Sequence, residues 1–447
     1  MIGRIKSIVS NDNFLSLFGN MVFAVLSFSS IFILARSFDK IGFGDWILYL
    51  NAVTFVEMIR IGISRTPMVR FLAGAKTSEE SATVIGSGWA ISLMNTGIFA
   101  IIIFVLGYFF ADGMDRYGFK LFFLWYPLLS IVILPFNNSL SILQARRAFG
   151  SIILLRGLTM GSFILFLVGN IFIWKLPVEY VVYAHMGSNL LGSLLGISVG
   201  WSGIQYLMKY TKQTIKTLLN FGKFTLGTLL GSNLLKSSDT ILLGMMMTSA
   251  EAAIYAIPLK LVEMLEIPLR SFVAVALPRM SKASREGNDQ EVRNIFYRYS
   301  GVLSLLFIPL LIILFFAAEP LIYILGGKEY SSIDVPINVF RIFLIYGLFL
   351  VVDRFTGVTL DSINKPKSNL IKVIYMALAN IIGDIIAIYY FKSLEAVAMV
   401  TIINVLIGVA VGMYYTRKEL SITLWKIPKV GWEFIRKNEI RNLRNDN

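Results

Sequence analysis

The sequence predicts an all-α, polytopic membrane protein with twelve transmembrane helices in two six-helix lobes, and three observations lead there. Hydrophobic residues make up 56% of the 447 and charged residues 15%, with a mean hydropathy of +0.72, whereas a soluble domain carries about 25% charged residues. Apolar runs of the roughly 20 residues a spanning helix needs recur from near the N-terminus to residue 416. These runs are continuous, not the short alternating segments of a strand barrel, so helices must satisfy the backbone in lipid.

Taken in order, the predicted spans are 14–36, 43–64, 84–110, 119–145, 150–174, 178–204, 220–247, 250–278, 296–325, 333–361, 368–391 and 394–416. The first run, Phe14 to Ala35, is too long for a signal-peptide core and lacks a small-residue cleavage pattern, so it reads as a retained helix. The longest cytoplasmic break between helices, 204–219, separates an N-terminal lobe (1–205) from a C-terminal lobe (206–416), and a basic amphipathic tail (417–447) follows. Each half has six helices. Phe55-Val56-Glu57-Met58 in the second helix is echoed by Leu261-Val262-Glu263-Met264 in the eighth, as parallel repeats about an axis along the membrane normal would give.

The net charge of +14 is mostly topology. With the N-terminus inside, the cytoplasmic segments and tail collect most of the bases, among them Arg65, Arg70, Arg146, Arg147, Lys209, Lys212, Lys216, Arg279, Lys282 and Arg285. The opposite side holds only Arg36, Lys40, Arg116, Lys120, Lys175, Lys328 and Lys392, which places both termini in the cytoplasm. A nucleic-acid partner loses its support. The tail mixes Trp425, Trp432 and Phe434 with bases, and reads either as an interfacial amphipathic segment or as a solvated tail with anchoring aromatics.

Cysteine is absent, which excludes disulfides and thiolate metal sites, and a single histidine, His185, excludes a paired-histidine metal motif. No glycine-rich nucleotide loop ending in lysine occurs, so ATP hydrolysis is not expected. The outside loops near 111–118 and 326–332 are too short to hold a catalytic domain, which argues against an enzyme such as a glycan polymerase.

Ionisable groups within a bilayer each cost at least about 2.5 kcal/mol, so those retained here are the candidate functional residues. Glu57 and Arg60 lie three apart in the second helix, on one face. Arg60 lies deeper than Arg65 and Arg70 and is a candidate to face a central cavity. Lys236 and Asp239 repeat that spacing in the seventh helix, where they neutralise each other or Asp239 holds Lys236 towards a wet cavity. In the eighth, Lys260, Glu263 and Arg270 form a stripe, and Glu266 reaches Arg270 four residues on. Pro258, Pro268 and Pro278 punctuate the same helix, so kinks and freed carbonyls are expected beside the charges. Asp353, Arg354 and Asp361 lie in the tenth helix and Asp384 in the eleventh, the last as an ion site or a structural hydrogen-bond partner.

The order Asp239, Ile241-Leu242-Leu243-Gly244, Tyr255-Ala256, Lys260-Leu261, Leu277-Pro278 and Ser281 resembles the polysaccharide flippase family of the multidrug/oligosaccharidyl-lipid/polysaccharide exporter superfamily. Gly44-Asp45-Trp46, Gln144-Ala145 with Phe149, and Lys365-Pro366 extend the likeness over nearly the whole chain. The chain departs from the family at Arg60, before Gly62, where relatives often carry an acid, and at Ala253 and Asn364, where glycine is usual.

The resemblance implies two lobes around a central cationic cavity that alternates between faces of a bacterial inner membrane. The implied cargo is a polyprenyl diphosphate-linked oligosaccharide for O-antigen, capsule or exopolysaccharide. On that reading Arg60, Lys236, Lys260, Arg270 and Arg354 bind substrate. Glu57, Asp239, Glu263, Glu266 and Asp384 supply counter-charge or couple a proton or sodium ion, with no other cofactor. Membrane lipids and other polysaccharide-assembly proteins are the further partners. A multidrug or cation exporter of the same superfamily is the alternative, and a lipid II flippase would usually carry two more helices.

Overall fold

The computed structural model describes residues 12–114 and 119–445, apart from the side chains of 12–18, 20, 110–114, 224–225, 227–229, 232, 236, 274 and 437–445. Among the described residues there is no strand. Twelve long helices follow one another among the described residues: α1 Asp12–Ser37, α2 Lys40–Ala73, α3 Ser78–Met114, α4 Lys120–Val132 with Leu134–Ala145, α5 Phe149–Trp174 and α6 Val178–Ser198, then α7 Lys212–Met246, α8 Ser249–Arg285, α9 Asp289–Phe316, α10 Asp334–Ser362, α11 Pro366–Phe391 and α12 Leu394–Leu420. The tail adds α13, Lys426–Asn445. Seven of these are individually long and apolar enough to cross a membrane, and bent α4 makes an eighth. Large apolar side chains such as Leu165, Phe172 and Phe316 stand exposed on the outside, where water would penalise them and acyl chains do not.

Local chemistry sets the starts and stops. Asp39 caps α2, accepting from Gly42 N–H at 2.9 Å, and Ser393 caps α12 in the same way through Ala396. Within α2 the backbone widens to a π turn over Ile61–Arg65, directly after Arg60. Pro135 explains the 49° bend in α4, because its ring clashes with the carbonyl four residues back. Pro320 acts likewise after α9, so the predicted span 296–325 is two pieces, α9 ending at Phe316 and a short helix Ala318–Gly326. By contrast α8 runs unbroken through Pro258, Pro268 and Pro278.

The chain divides into two compact units. One comprises Met1–Asn233 with Leu243–Ala253, the other Leu234–Leu242 with Ile254–Asn447. In the first, α3 packs on α4, α1 on α5 and α5 on α6. One of its cores gathers Met68, Leu72, Val84, Ile85, Trp89, Leu134 and Ile142, and Trp89 is fixed by its indole N–H donating to the Ser202 carbonyl at 2.8 Å. Close backbone contact also matters here. A Cβ on Gly44 would run into the backbone of Ser249, whose hydroxyl donates to Asp45 at 2.6 Å. In the second unit α10 packs on α12, α11 on α12, and α9 on both α10 and α13.

Candidate functional site

Among the described residues, polar assemblies interrupt these apolar helices in both units. In the first unit Glu57 and Arg60, one turn apart on α2, form an ion pair. The Arg60 guanidinium also donates to the Thr96 hydroxyl and to the Ser130 carbonyl at 3.1 Å. Glu57 accepts from Tyr126 and from Asn137, each at 2.9 Å. With Arg60 4% and Glu57 7% exposed, the pair is enclosed by α3 and α4 and leaves no free face for a ligand.

One turn further along α2 the arrangement differs. Arg65 and Arg156, from α2 and α5, line a cavity of about 330 Å³. Arg65 donates to Gln144 at 3.0 Å, and Arg156 lies over the Phe23 ring at 4.4 Å. Neither has an ion-pair partner among the described residues. The walls combine aromatic faces from Trp46, Phe136 and Phe163 with the polar groups of Ser27, Ser30, Asn137, Ser188 and Asn189. His185 also lines it, packed edge-on against Trp46 and Tyr49 with its Nδ1 3.1 Å from the Tyr49 hydroxyl. The buried Trp46 indole N–H has no acceptor.

The second unit carries the α8 stripe. Lys260 pairs with Glu263 at 2.8 Å, both half-exposed. Glu266, largely buried, receives Arg270 at 2.8 Å and lies 3.6 Å from Arg354 of α10. The two arginine heads remain accessible, so the stripe is polarised, with bases outermost and the shared carboxylate behind them. Next to it Lys372 of α11 is buried against Asp353 at 2.8 Å.

Deeper in the same unit, α7, α11 and α12 assemble a carboxylate pair. The Asn380 amide donates to Asp239 at 2.6 Å and to Asp384 at 2.8 Å. Tyr255 donates to the second oxygen of Asp239 at 2.7 Å, with the Thr401 hydroxyl at 3.4 Å. Asn404 orients Asn380 by donating to its carbonyl at 2.7 Å. Asp384 is 0% exposed, and its Oδ1 and the Asn404 Oδ1 have no donor. No described cation lies within ion-pair range of either carboxylate. Two carboxyl groups and the Asn404 amide oxygen thus form an oxygen-rich cluster, in which one Asp384 oxygen and the amide oxygen lack donors that a proton or a monovalent cation could replace. Among the described residues, no group of three or more acidic, histidine or cysteine side chains could hold a metal ion.

Of the predicted site residues, the structure thus joins Glu57 with Arg60, Lys260 with Glu263, Glu266 with Arg270 and Arg354, and Asp239 with Asp384. Lys236 lies on α7, but its side chain is outside the described residues. Sequence reasoning missed Arg156, Lys372, Asn380 and Asn404. Arg156 had a readable signal, a lone cation in the apolar run Ile152 to Met160, and Asn380 had another, its place one turn before Asp384.

The chain is a polytopic helical membrane protein with oppositely charged assemblies buried in its helices, and comparison places it more closely. The chain belongs to the polysaccharide biosynthesis protein family, whose pattern matches residues 76–334. Its fold is similar to an inward-facing multidrug resistance MATE family transporter of the MOP superfamily, with a TM-score of 0.76 and 15% identity, covering 89% of this chain and 94% of that one. It is also similar to the lipid II flippase MurJ in an inward closed conformation, with a TM-score of 0.71 and 16% identity over 96% and 92%. A MOP superfamily transporter from Pyrococcus furiosus, noted for the reverse polarity of its binding pocket, gives 0.62 and 15% over 91% and 94%. At these identities the likeness establishes the fold. No curated protein matches the sequence significantly.

Proposed function

We propose that the chain is an ion-coupled flippase that moves a polyprenyl diphosphate-linked oligosaccharide from the cytoplasmic to the outer leaflet of a bacterial inner membrane by alternating access, for surface polysaccharide assembly. The observation that carries this reading is the Arg65–Arg156 cavity, in which two guanidiniums share a site with aromatic and hydroxyl walls and no carboxylate among the described residues. Guanidiniums match phosphate and carboxylate oxygens bidentately, and a diphosphate cannot cross hydrocarbon unaided. Both arginines fall near the ends of α2 and α5 predicted to be cytoplasmic, where such a cargo would enter.

On this reading Arg270 and Arg354, shared by Glu266, and Lys260, held by Glu263, supply further cations along the path, with Lys236 on α7 as another. Counter-carboxylates keep these bases in place when no cargo is bound. Asp239 and Asp384 form the coupling-ion site, and the Glu57–Arg60 pair holds α2 against α3 and α4. Family membership supports a polysaccharide cargo over a drug, and an exporter of cations would need acids where Arg65 and Arg156 stand.

The test is reconstitution in vesicles with a fluorescent polyprenyl diphosphate-linked sugar. The protein is expected to accelerate its flipping, and Arg65→Gln with Arg156→Gln to slow it at least tenfold with folding intact. Efflux of cationic dyes with no movement of the lipid-linked sugar would establish the drug exporter instead.

A further inference from the structure

The tail helix presents two unlike faces. On the inner face Ile427 and Gly431 are buried one turn apart. Gly431 meets Gly301 of α9 so closely that a Cβ on either residue would strike the other's backbone. Around that contact the Arg298 guanidinium lies 3.8 Å over the Phe434 ring, and the Thr423 N–H donates to the Tyr297 hydroxyl at 2.7 Å. Arg293 donates to the Leu420 carbonyl at 3.3 Å. The entry to α13 and its first turns are therefore pinned to α9, and the direction of the other face is set.

That other face is exposed. Trp425, just ahead of the helix, is 88% exposed and Trp432 63%. Lys429, Trp432 and Arg436 follow at helical spacing, with Lys426 beside them, all exposed. No described carboxylate pairs with these three cations. The bases behind the helix are engaged otherwise: Arg279 donates to the Tyr299 hydroxyl at 3.2 Å, and Lys282 faces Glu286 at 3.8 Å. The outward face thus carries three bases against one acid, Glu433, interleaved with two indoles.

We propose that this face, from Trp425 to Arg436, binds anionic phospholipid and lies in the headgroup layer of the leaflet from which the C-terminus emerges. Position favours a lipid occupant over a soluble one. α12 is a membrane-spanning helix that ends at Leu420, and α13 begins at Lys426, so the face lies within a few residues of the bilayer surface. Chemistry agrees with position. Indoles partition to the boundary between headgroups and acyl chains, a basic amphipathic helix settles there through its apolar side chains, and Lys and Arg draw it to acidic lipid within a Debye length. The inference depends on the membrane fold alone and stands whatever the cargo.

The absence of native cysteine allows a clean test in the full chain. Leu424→Cys, carrying an environment-sensitive fluorophore, would be placed in nanodiscs of phosphatidylcholine alone or with phosphatidylglycerol. The expected result is blue-shifted emission, and quenching by headgroup-spin-labelled lipid, in the acidic discs, both reversed by salt. Replacing Lys426, Lys429 and Arg436 with glutamine should shrink the inserted population by roughly fivefold per charge, with the unfolding temperature unchanged. In Trp425→Ser with Trp432→Ser the probe should stay water-exposed in both discs. Equal insertion in neutral and acidic discs would overturn the proposal in favour of a non-selective anchor. A water-exposed parent probe in both discs would overturn it in favour of a soluble partner.

Discussion

Replacing Arg60 with methionine removes the cation from an enclosed ion pair and leaves Glu57 with two neutral donors, Tyr126 and Asn137. A buried charge stripped of its partner destabilises by about 3–5 kcal/mol, whereas replacing both partners by neutral groups of similar shape is often tolerated. Glu57 is 7% exposed and its neighbours come from α4, so water cannot easily substitute for the guanidinium. The single variant should therefore lose about 3–5 kcal/mol, while Glu57→Gln with Arg60→Met should recover at least half of it, because glutamine still accepts from Tyr126 or Asn137. The difference between the observed and additive effects measures the coupling.

The assay is unfolding in bicelles titrated with a denaturing detergent, followed by circular dichroism, with flipping of the lipid-linked sugar measured on the same preparations. On the proposed function, the double variant, normalised to folded protein, should still flip the lipid-linked sugar. If Arg60→Met unfolds like the parent yet transports nothing, Arg60 handles the cargo directly and its enclosure here is only one state of the cycle.

Two further outcomes follow from the packing and the buried acids. Gly44→Ala should destabilise the first unit by about 1–3 kcal/mol, since its Cβ would meet the Ser249 backbone, which cannot rotate away; a thermal melt reads this, and an unchanged melting temperature would show that α2 and α8 can part freely at that point. On the proposed function, Asp384→Asn should leave the helices folded but make flipping indifferent to an imposed proton or sodium gradient, because the unpaired Oδ1 is what a coupling ion would meet; transport that still follows the gradient would remove this pair from the coupling.

Most of the helix order was legible because lipid leaves a strong imprint: continuous apolar runs separated by polar breaks. The misplaced ends have local causes. Pro320 was hidden inside an apolar run that read as one span, and α7 begins at Lys212, before the residues that look apolar. The ion pairs made within one helix were also legible, since Lys260–Glu263 and Glu266–Arg270 follow from spacing alone. Partners brought from distant helices were not. Asp353 finds Lys372 and Asp239 finds Asn380 only through tertiary packing of α7, α10 and α11, and no local pattern announces either pairing.

The contrast between Arg60 and Arg156 turns on that same distinction. Both are arginines within apolar helices, and insertion costs the same residue type a similar amount. Arg60 recovers it through a carboxylate, a hydroxyl and a carbonyl, whereas Arg156 has only an aromatic face and an open cavity shared with Arg65. A cation that the protein itself leaves unneutralised, like a carboxylate oxygen at Asp384 without a donor, raises the free energy of the empty state. On the proposed function, binding an anion at the first site and a cation or proton at the second would lower it, so each site would gain affinity from the partner the fold withholds.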